Sequence, residues 1–123
     1  MVENTKSTLI IGASTNHNRF SYKAIQRLVQ NNIHTFAISE KEGEIFGVKF
    51  QNQIHFSHKI HTVSFYLRPS LQSQYSDTIL KLLPSRIIFN PGTENIKMFE
   101  YFNSKGIFCE NACTLVLLST NQY

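Results

Sequence analysis

The residues best suited to chemistry follow a short apolar run near the start of the chain. Gly12, Ala13 and Ser14 come directly after residues 8–11, whose apolar side chains stand next to one another as in a buried strand. A glycine here lets backbone N–H groups approach an anion, the small residues keep that approach open, and the Ser14 hydroxyl adds a donor. Only Gly12 is glycine, so the full GxGxxG dinucleotide-binding pattern is absent. The segment predicts either a phosphate-binding turn or a tight turn that needs small residues.

Two cations follow this turn, at the start of the first predicted helix. They are Arg19 and Lys23. Basic side chains are unfavourable at a helix N-terminus unless an anion lies nearby. Arginine can grip a phosphate with two hydrogen bonds and lysine can add a point charge. The alternative is a pair of solvated surface cations, but their position at this end of the helix favours anion binding.

A second loop of interest, residues 39–43, follows the second predicted strand and mixes acids with Lys41. In a doubly wound fold this loop meets the ribose end of a nucleotide. A lone acid would favour the free hydroxyl of NAD, whereas Lys41 suits a phosphorylated ribose. A plain polar turn that begins at Ser39 is the third interpretation.

The loop after the fourth predicted strand contains Asn90, Pro91 and Gly92. Pro91 and Gly92 form a turn whose backbone amides can face a ligand. The Asn90 side chain can both donate and accept hydrogen bonds. We therefore expect this loop at the edge of the same cleft.

Signals for metal binding and covalent catalysis are lacking. The five histidines have no metal-ligand spacing with carboxylates; three of them, His55, His58 and His61, are three residues apart in a segment without helical patterning and are expected at the surface. Ser14 has no evident partner base, so nucleophilic catalysis has no support. Cys109 and Cys113 are expected to be reduced, buried thiols.

Five strands alternate with helices along the chain. The strands are predicted at residues 8–11, 35–38, 63–67, 86–90 and 107–109. The helices are predicted at 21–29 with Ser21 as N-cap, at 71–83, at 94–104 with Thr93 as N-cap, and as a short helix within 112–118. Residues 46–60 show no period and are predicted to be irregular, with at most a short extended piece at 48–50. The alternation predicts an α/β fold with a doubly wound parallel sheet of order 3-2-1-4-5 and helices on both faces.

Length and composition narrow the class of protein. The chain has 123 residues, 41% of them hydrophobic and 16% charged, which predicts one folded domain over 1–123 and excludes a disordered polyelectrolyte. The net charge of +4 suits a small anionic ligand better than nucleic acid, because no basic stripe with interleaved aromatic residues is present. The sequence has no signal-peptide pattern and no apolar run that could span a bilayer, which predicts a cytoplasmic protein without membrane contact.

Six stretches, taken together and in order, resemble the small single-domain CoA-binding proteins, whose fold is similar to the CoA-binding N-terminal domain of the succinate–CoA ligase α subunit. These stretches are residues 12–16, 19–24, 44–47, 65–69, 88–95 and 112–118. The resemblance spans residues 9–122. Two loops depart from the family pattern. The family often has proline after the asparagine of the first loop, where His17 stands, and proline in the second-strand loop, where Ser39 and Glu40 stand.

The resemblance implies a Rossmann-like fold that holds the ADP part of coenzyme A. It places Gly12, Ala13 and Ser14 around the diphosphate, Arg19 and Lys23 near the phosphates, Ser39 and Lys41 beside the adenosine, Leu67, Arg68 and Pro69 under the pantetheine or adenine, and Asn90, Pro91 and Gly92 at the far side.

The expected function is non-catalytic binding of coenzyme A or an acyl-CoA, as a monomer or a homo-oligomer. An NAD(P)-binding protein or enzyme subunit is the alternative, because these cofactors share the ADP moiety. A domain that has lost its ligand and serves only in assembly is the third interpretation.

Overall fold

The computed structural model describes residues 4–54 and 58–123; His55 lies outside them. Seven strands within these ranges form one sheet in the order β3-β4-β2-β1-β5-β6-β7. They are β1 (Asn4–Ile11), β2 (Ile33–Ile38), β3 (Glu44–Ile45), β4 (Val48–Gln51), β5 (Thr62–Phe65), β6 (Arg86–Phe89) and β7 (Phe108–Asn111). All neighbouring pairs are parallel except the β3–β4 hairpin. The α/β, Rossmann-like prediction is confirmed.

The predicted sheet is wrong in its strand count and in its order. Seven strands are found in the described residues where five were predicted, because β3 was not predicted and the extended piece at 48–50 was not counted as a strand. The order 3-2-1-4-5 placed the strand at 63–67 beside β2, but β4 occupies that position, pairing Ala37 with Phe50 and Ile38 with Gln51. β5 instead pairs with the other side of β1. The chain therefore winds outward from β1 in one direction through β2 and β4, and in the other through β5, β6 and β7. The switch point, where loops diverge to opposite faces, lies between β1 and β5.

In the part of the chain that the structure describes, four α-helices cover the two faces of the sheet. They are α1 (Phe20–Gln30), α2 (Ser76–Leu82), α3 (Ile96–Ser104) and α4 (Thr114–Ser119). The 3₁₀ turns Pro69–Leu71 and Ser73–Tyr75 replace the first part of the helix predicted at 71–83. α2 ends where Leu83 adopts a left-handed φ of 48°, directly before Pro84.

The core has two layers because consecutive residues of β1 face opposite sides of the sheet. Leu9 and Ile11 pack with α2 and α3, whereas Ile10 packs with α1, and all three are fully buried. This arrangement explains why β1 reads as a continuous apolar run.

Two of the predicted helix caps are corrected by the structure. Arg19, in an extended conformation, is the N-cap of α1, and Ser21 lies inside the first turn, where it is buried. Asn95 is the N-cap of α3, where its Oδ1 accepts a hydrogen bond from the backbone N–H of Met98 at 3.2 Å. The Thr93 hydroxyl donates instead to the Asn90 carbonyl at 2.8 Å.

We expect the protein to lose stability on acidification through His61, the residue directly before β5. Its Nδ1 is 2.8 Å from Thr62 Oγ1, and burial, then the positive charges of Arg86 and Lys6, lower the pKa of His61 below its usual value. The unfolded chain therefore takes up this proton first, and stability falls as pH drops below about 6.5. Urea unfolding between about pH 7.5 and 5 should show this fall, and His61→Gln should flatten it. His34→Gln, at an exposed position, is the control; an equal pH dependence in both variants would contradict the assignment.

Candidate ligand-binding site

A cavity of about 370 Å³ opens at the carboxyl ends of β1, β2 and β5, next to the switch point. We call it the cleft. Its lining residues are Gly12, Ala13, Ser14, Arg19, Phe20, Ser21, Ile38, Ser39, Glu40, Lys41, Tyr66, Leu67, Leu71 and Tyr75. Seven of the thirteen predicted site residues are therefore brought together here: Gly12, Ala13, Ser14, Arg19, Ser39, Lys41 and Leu67.

The turn after β1 is held closely against its neighbours. Gly12 has a φ of +100°, and a Cβ at this position would lie 2.8 Å from the carbonyl carbon and oxygen of Tyr66. The backbone N–H groups of Gly12 and Ala13 both donate to the Ile38 carbonyl at 3.1 Å. These two amides thus join β1 to β2, and the glycine is required by close backbone approach.

The donors that remain for an anion come from the next residues and from the start of α1. Among the described residues, no acceptor is found for the backbone N–H groups of Ser14 and Thr15. α1 begins with no side-chain cap and no acid in its first turn, so its first N–H groups have no partner within residues 4–54 and 58–123. Arg19 and Ser21, at this helix end, line the cleft. Unpaired amides, the positive end of the helix dipole and a guanidinium together suit a phosphate.

The wall opposite α1 contains aromatic and aliphatic residues that the sequence patterns did not identify as site residues. Tyr75 reads as part of a helical stripe that faces the core, but it lies in a 3₁₀ turn and lines the cleft. Burial, then the negative charge of Glu40, raises the pKa of Tyr75. Pro69, which prevents the helix from beginning earlier, is the sequence signal that could have revealed this placement. With Leu71, the Tyr75 ring offers an apolar surface to a ligand.

Tyr66 also lines the cleft, but it packs with the part of the core that lies beneath α1 and α4. Its hydroxyl oxygen is buried and has no hydrogen-bond partner among the described residues. Burial is the largest effect on its pKa, which is raised well above the usual value. The hydroxyl therefore stays protonated at neutral pH, and the nearby Thr114 and Ser64 side chains oppose part of this rise in its pKa.

The loop after β2 borders both the cleft and a larger cavity of about 710 Å³. The second cavity is lined by Ser39, Glu40, Lys41, Glu42, Phe50, Gln51, Asn52, Gln53 and Ile54. Ser39 Oγ accepts a hydrogen bond from the Lys41 backbone N–H at 3.2 Å, which fixes the turn. Because the two cavities share residues 39–41, a ligand in the cleft can extend into the second cavity.

The Asn90 side chain is buried beneath the cleft and is bonded to other parts of the protein. Its side chain is 1% exposed, and its Nδ2 donates to Ser64 Oγ and to the Phe65 carbonyl, both at 2.8 Å. Its Oδ1 accepts from the Thr114 backbone N–H at 2.8 Å. All three bonds are within the protein, so the side chain joins β5, β6 and α4 and is not among the cleft-lining residues.

The remaining five predicted residues also lie outside the cleft lining. Arg68, Pro69, Pro91 and Gly92 are not among its residues, and the Gly92 N–H donates to Glu94 Oε1 at 2.7 Å. Lys23 lies one turn into α1, with its Nζ 5.4 Å from the centre of the Phe20 ring, and lines a different cavity.

A fully buried glutamine, Gln72, holds the backbone at Leu67, which lines the cleft. Gln72 Nε2 donates to the carbonyls of Leu67 at 2.9 Å and Thr93 at 2.7 Å, and its Oε1 accepts from Asn95 Nδ2 at 3.2 Å. These bonds connect the loop after β5 to the loop after β6. Gln72 lies between the two 3₁₀ turns, and nothing in the sequence pattern distinguishes it from a surface glutamine.

The described residues contain no group of three histidine, cysteine or acidic side chains that could hold a metal ion. Cys109 is buried and burial raises its thiol pKa to about 11, whereas Cys113 is half-buried, less than expected. In the part of the chain that the structure describes, no helix has the length and apolar character needed to cross a bilayer.

Comparisons with known proteins identify the family. The chain is similar over its whole length to a solved structure of an uncharacterized protein, with 36% identity and a TM-score of 0.93, covering 98% of this chain and 100% of the other. A hypothetical protein from Pyrococcus horikoshii OT3 shares the fold, with 21% identity and a TM-score of 0.81 over 89% of this chain and 78% of the other. The structure of cell-free ID.343 from Thermus thermophilus also shares it, with 15% identity and a TM-score of 0.80 over 96% of this chain and 91% of the other. A comparison with curated proteins gives no match. Residues 6–119 match the model of the CoA binding domain, and the chain therefore belongs to the CoA binding domain family.

Proposed function

We propose that this protein binds coenzyme A or an acyl-CoA through its ADP moiety and acts as a non-catalytic binding module. The observation that carries the proposal is the uncapped start of α1, which faces the cleft together with Arg19 in a chain of the CoA binding domain family. Phosphates of the ligand satisfy the free helix amides and pair with the guanidinium. The nucleoside then extends past residues 39–41 toward the larger cavity.

The proposal of a non-catalytic role rests on the partners of the Ser14 hydroxyl, which belongs to the turn predicted to hold the phosphates and lines the cleft. Ser14 Oγ accepts a hydrogen bond from the Asn16 backbone N–H at 3.1 Å, and no base is bonded to it among the described residues. Without such a base the hydroxyl is a weak nucleophile. An acyl-CoA incubated with the protein should be recovered unchanged by chromatography, and enzymatic turnover would overturn this part of the proposal.

Calorimetric titration tests the binding mode. CoA and ADP should both bind, whereas phosphopantetheine, which lacks the nucleotide, should bind far more weakly. Arg19→Ala should weaken CoA binding by about tenfold to a hundredfold, because a charge-assisted hydrogen bond is lost. Lys49→Ala removes a similar charge from an exposed position on β4 and should leave the affinity unchanged. No heat with CoA at high concentration, or equal affinities for the two variants, would contradict the proposal.

One observation favours NAD as a second candidate. Glu40 follows β2 by two residues and lines the cleft, and an acid in this region of a Rossmann-like fold accepts hydrogen bonds from a free ribose hydroxyl. The phosphorylated ribose of CoA would meet this carboxylate less favourably. Titration of NAD beside CoA on the same protein separates the candidates, since tighter binding of NAD would replace CoA as the ligand.

A further inference from the structure

A separate groove of about 560 Å³ lies between α1 and α4, on the outer side of the helix layer. We call it the α1–α4 groove. Its lining residues are Lys23, Gln26, Arg27 and Asn31 from the α1 side and Leu115, Val116, Leu118 and Ser119 from α4. Its volume falls in the range of sites that hold small molecules, about 300–1,000 Å³. It shares no lining residue with the cleft.

The α1 wall of this groove is cationic. Lys23 and Arg27 are exposed and four residues apart, so they project from the same side of the helix. Neither α1 nor α4 contains an acidic residue, and in the described parts of the chain no ion pair is found for either cation. Like charges at this spacing disfavour the helix, and an anion between them would remove that repulsion.

The α4 wall is apolar. Val116 is 54% exposed, and Leu115 and Leu118 are half-buried, with their inner sides packed on the core beneath α1. These three residues leave aliphatic surface open to the groove directly opposite the two cations. Covering such surface with an alkyl chain is favourable by about 25 cal/mol per Å² of apolar area removed from water.

We propose that the α1–α4 groove binds an aliphatic carboxylate of medium chain length. The carboxylate pairs with Lys23 and Arg27, and the alkyl chain lies along Leu115, Val116 and Leu118. This charge pattern also argues against a second copy of the chain as the occupant, because a symmetric contact through α1 would bring four cations together. The inference does not depend on the ligand of the cleft.

NMR titration of the ¹⁵N-labelled protein with sodium decanoate, with and without CoA, tests the proposal. Saturable shifts should appear at the amides of the groove residues in both cases. Decan-1-ol, which has the chain but no charge, should bind at least about tenfold more weakly, because the ion pairs are absent. Shifts confined to the cleft, no saturation, or equal binding of the alcohol would overturn the proposal. Failure of CoA to bind would leave the decanoate result unaffected, so the two proposals fail separately.

Two variants locate the site. Val116→Glu places a carboxylate in the groove at an exposed position and should weaken decanoate binding by at least about tenfold. Lys97→Gln, at an exposed position of α3, is the control for Lys23→Gln and Arg27→Gln, and only the two groove variants should bind decanoate more weakly. Unchanged affinity in Val116→Glu would refute the site. A dimer by light scattering that dissociates in Val116→Glu would assign the groove to a second copy instead.

Discussion

Replacement of Gly12 by alanine is expected to lower the free energy of unfolding by about 3 kcal/mol, because two penalties meet at this residue. Its φ of +100° is a conformation in which a side chain is strained, at a cost of about 1–2 kcal/mol. A Cβ would also lie 2.8 Å from carbonyl atoms of Tyr66 and 3.1 Å from the Leu67 nitrogen. These are backbone atoms, so the segment directly after β5 must move, and such overpacking costs about 1–3 kcal/mol.

Gly106→Ala separates the two penalties. Gly106 has a similar φ of +84°, but a Cβ there would have no neighbour within 4 Å, so only the strain remains. Urea unfolding should therefore show a loss of about 1–2 kcal/mol for this control and a clearly larger loss for Gly12→Ala. Because Leu67 lines the cleft, the Gly12 variant should also bind CoA more weakly by calorimetry. Equal losses of stability would show that β5 does not press on this turn.

The parts of the fold that could be predicted from sequence are those in which a local pattern and the tertiary environment agree. Leu9, Ile10 and Ile11 are apolar in succession because both faces of β1 are covered, and this pattern gave the central strand correctly. β4 was predicted only as a short extended piece at 48–50 and not as a strand of the sheet, because four residues with two buried positions, Val48 and Phe50, are too short to show a period. That omission changed the position assigned to β5 and therefore the strand order.

For the candidate site, sequence reasoning located the loops but not the direction of their side chains. The turn at Gly12 and the cation Arg19 do line the cleft, because the turn directly follows the end of β1 and Arg19 is the N-cap of α1. Tyr75 could not be assigned, since its role depends on 3₁₀ turns that replace the expected helix. A polar residue at the end of a strand can face a ligand or the core, and the groups that approach it from distant parts of the chain decide which. Asn90 faces the core because Ser64, Phe65 and Thr114 bond its side chain.

Asn90→Ala should reduce the free energy of unfolding by about 3 kcal/mol. The substitution leaves the buried Thr114 N–H without an acceptor and the Phe65 carbonyl without this donor, and it opens a cavity below the cleft. Asn111→Ala, at an exposed residue at the end of β7, is the control and should change stability by less than about 0.5 kcal/mol. Urea unfolding compares the two. If Asn90 instead contacted the ligand, its replacement would lower CoA affinity while stability stayed close to that of the wild type.

Asn90→Asp tests the same hydrogen bonds through pH. The carboxylate can still accept from the Thr114 N–H, but its second oxygen would face the Phe65 carbonyl, which Asn90 Nδ2 approaches to 2.8 Å. Burial and this carbonyl should raise the pKa of the introduced carboxyl in the folded state above its unfolded value of about 3.9. The loss of stability relative to wild type is then largest above the folded pKa and disappears as pH falls below about 3.9, where the protonated carboxyl donates to Phe65. If the free energies of unfolding of the variant and the wild type instead differ by the same amount at every pH, residue 90 does not donate to the Phe65 carbonyl.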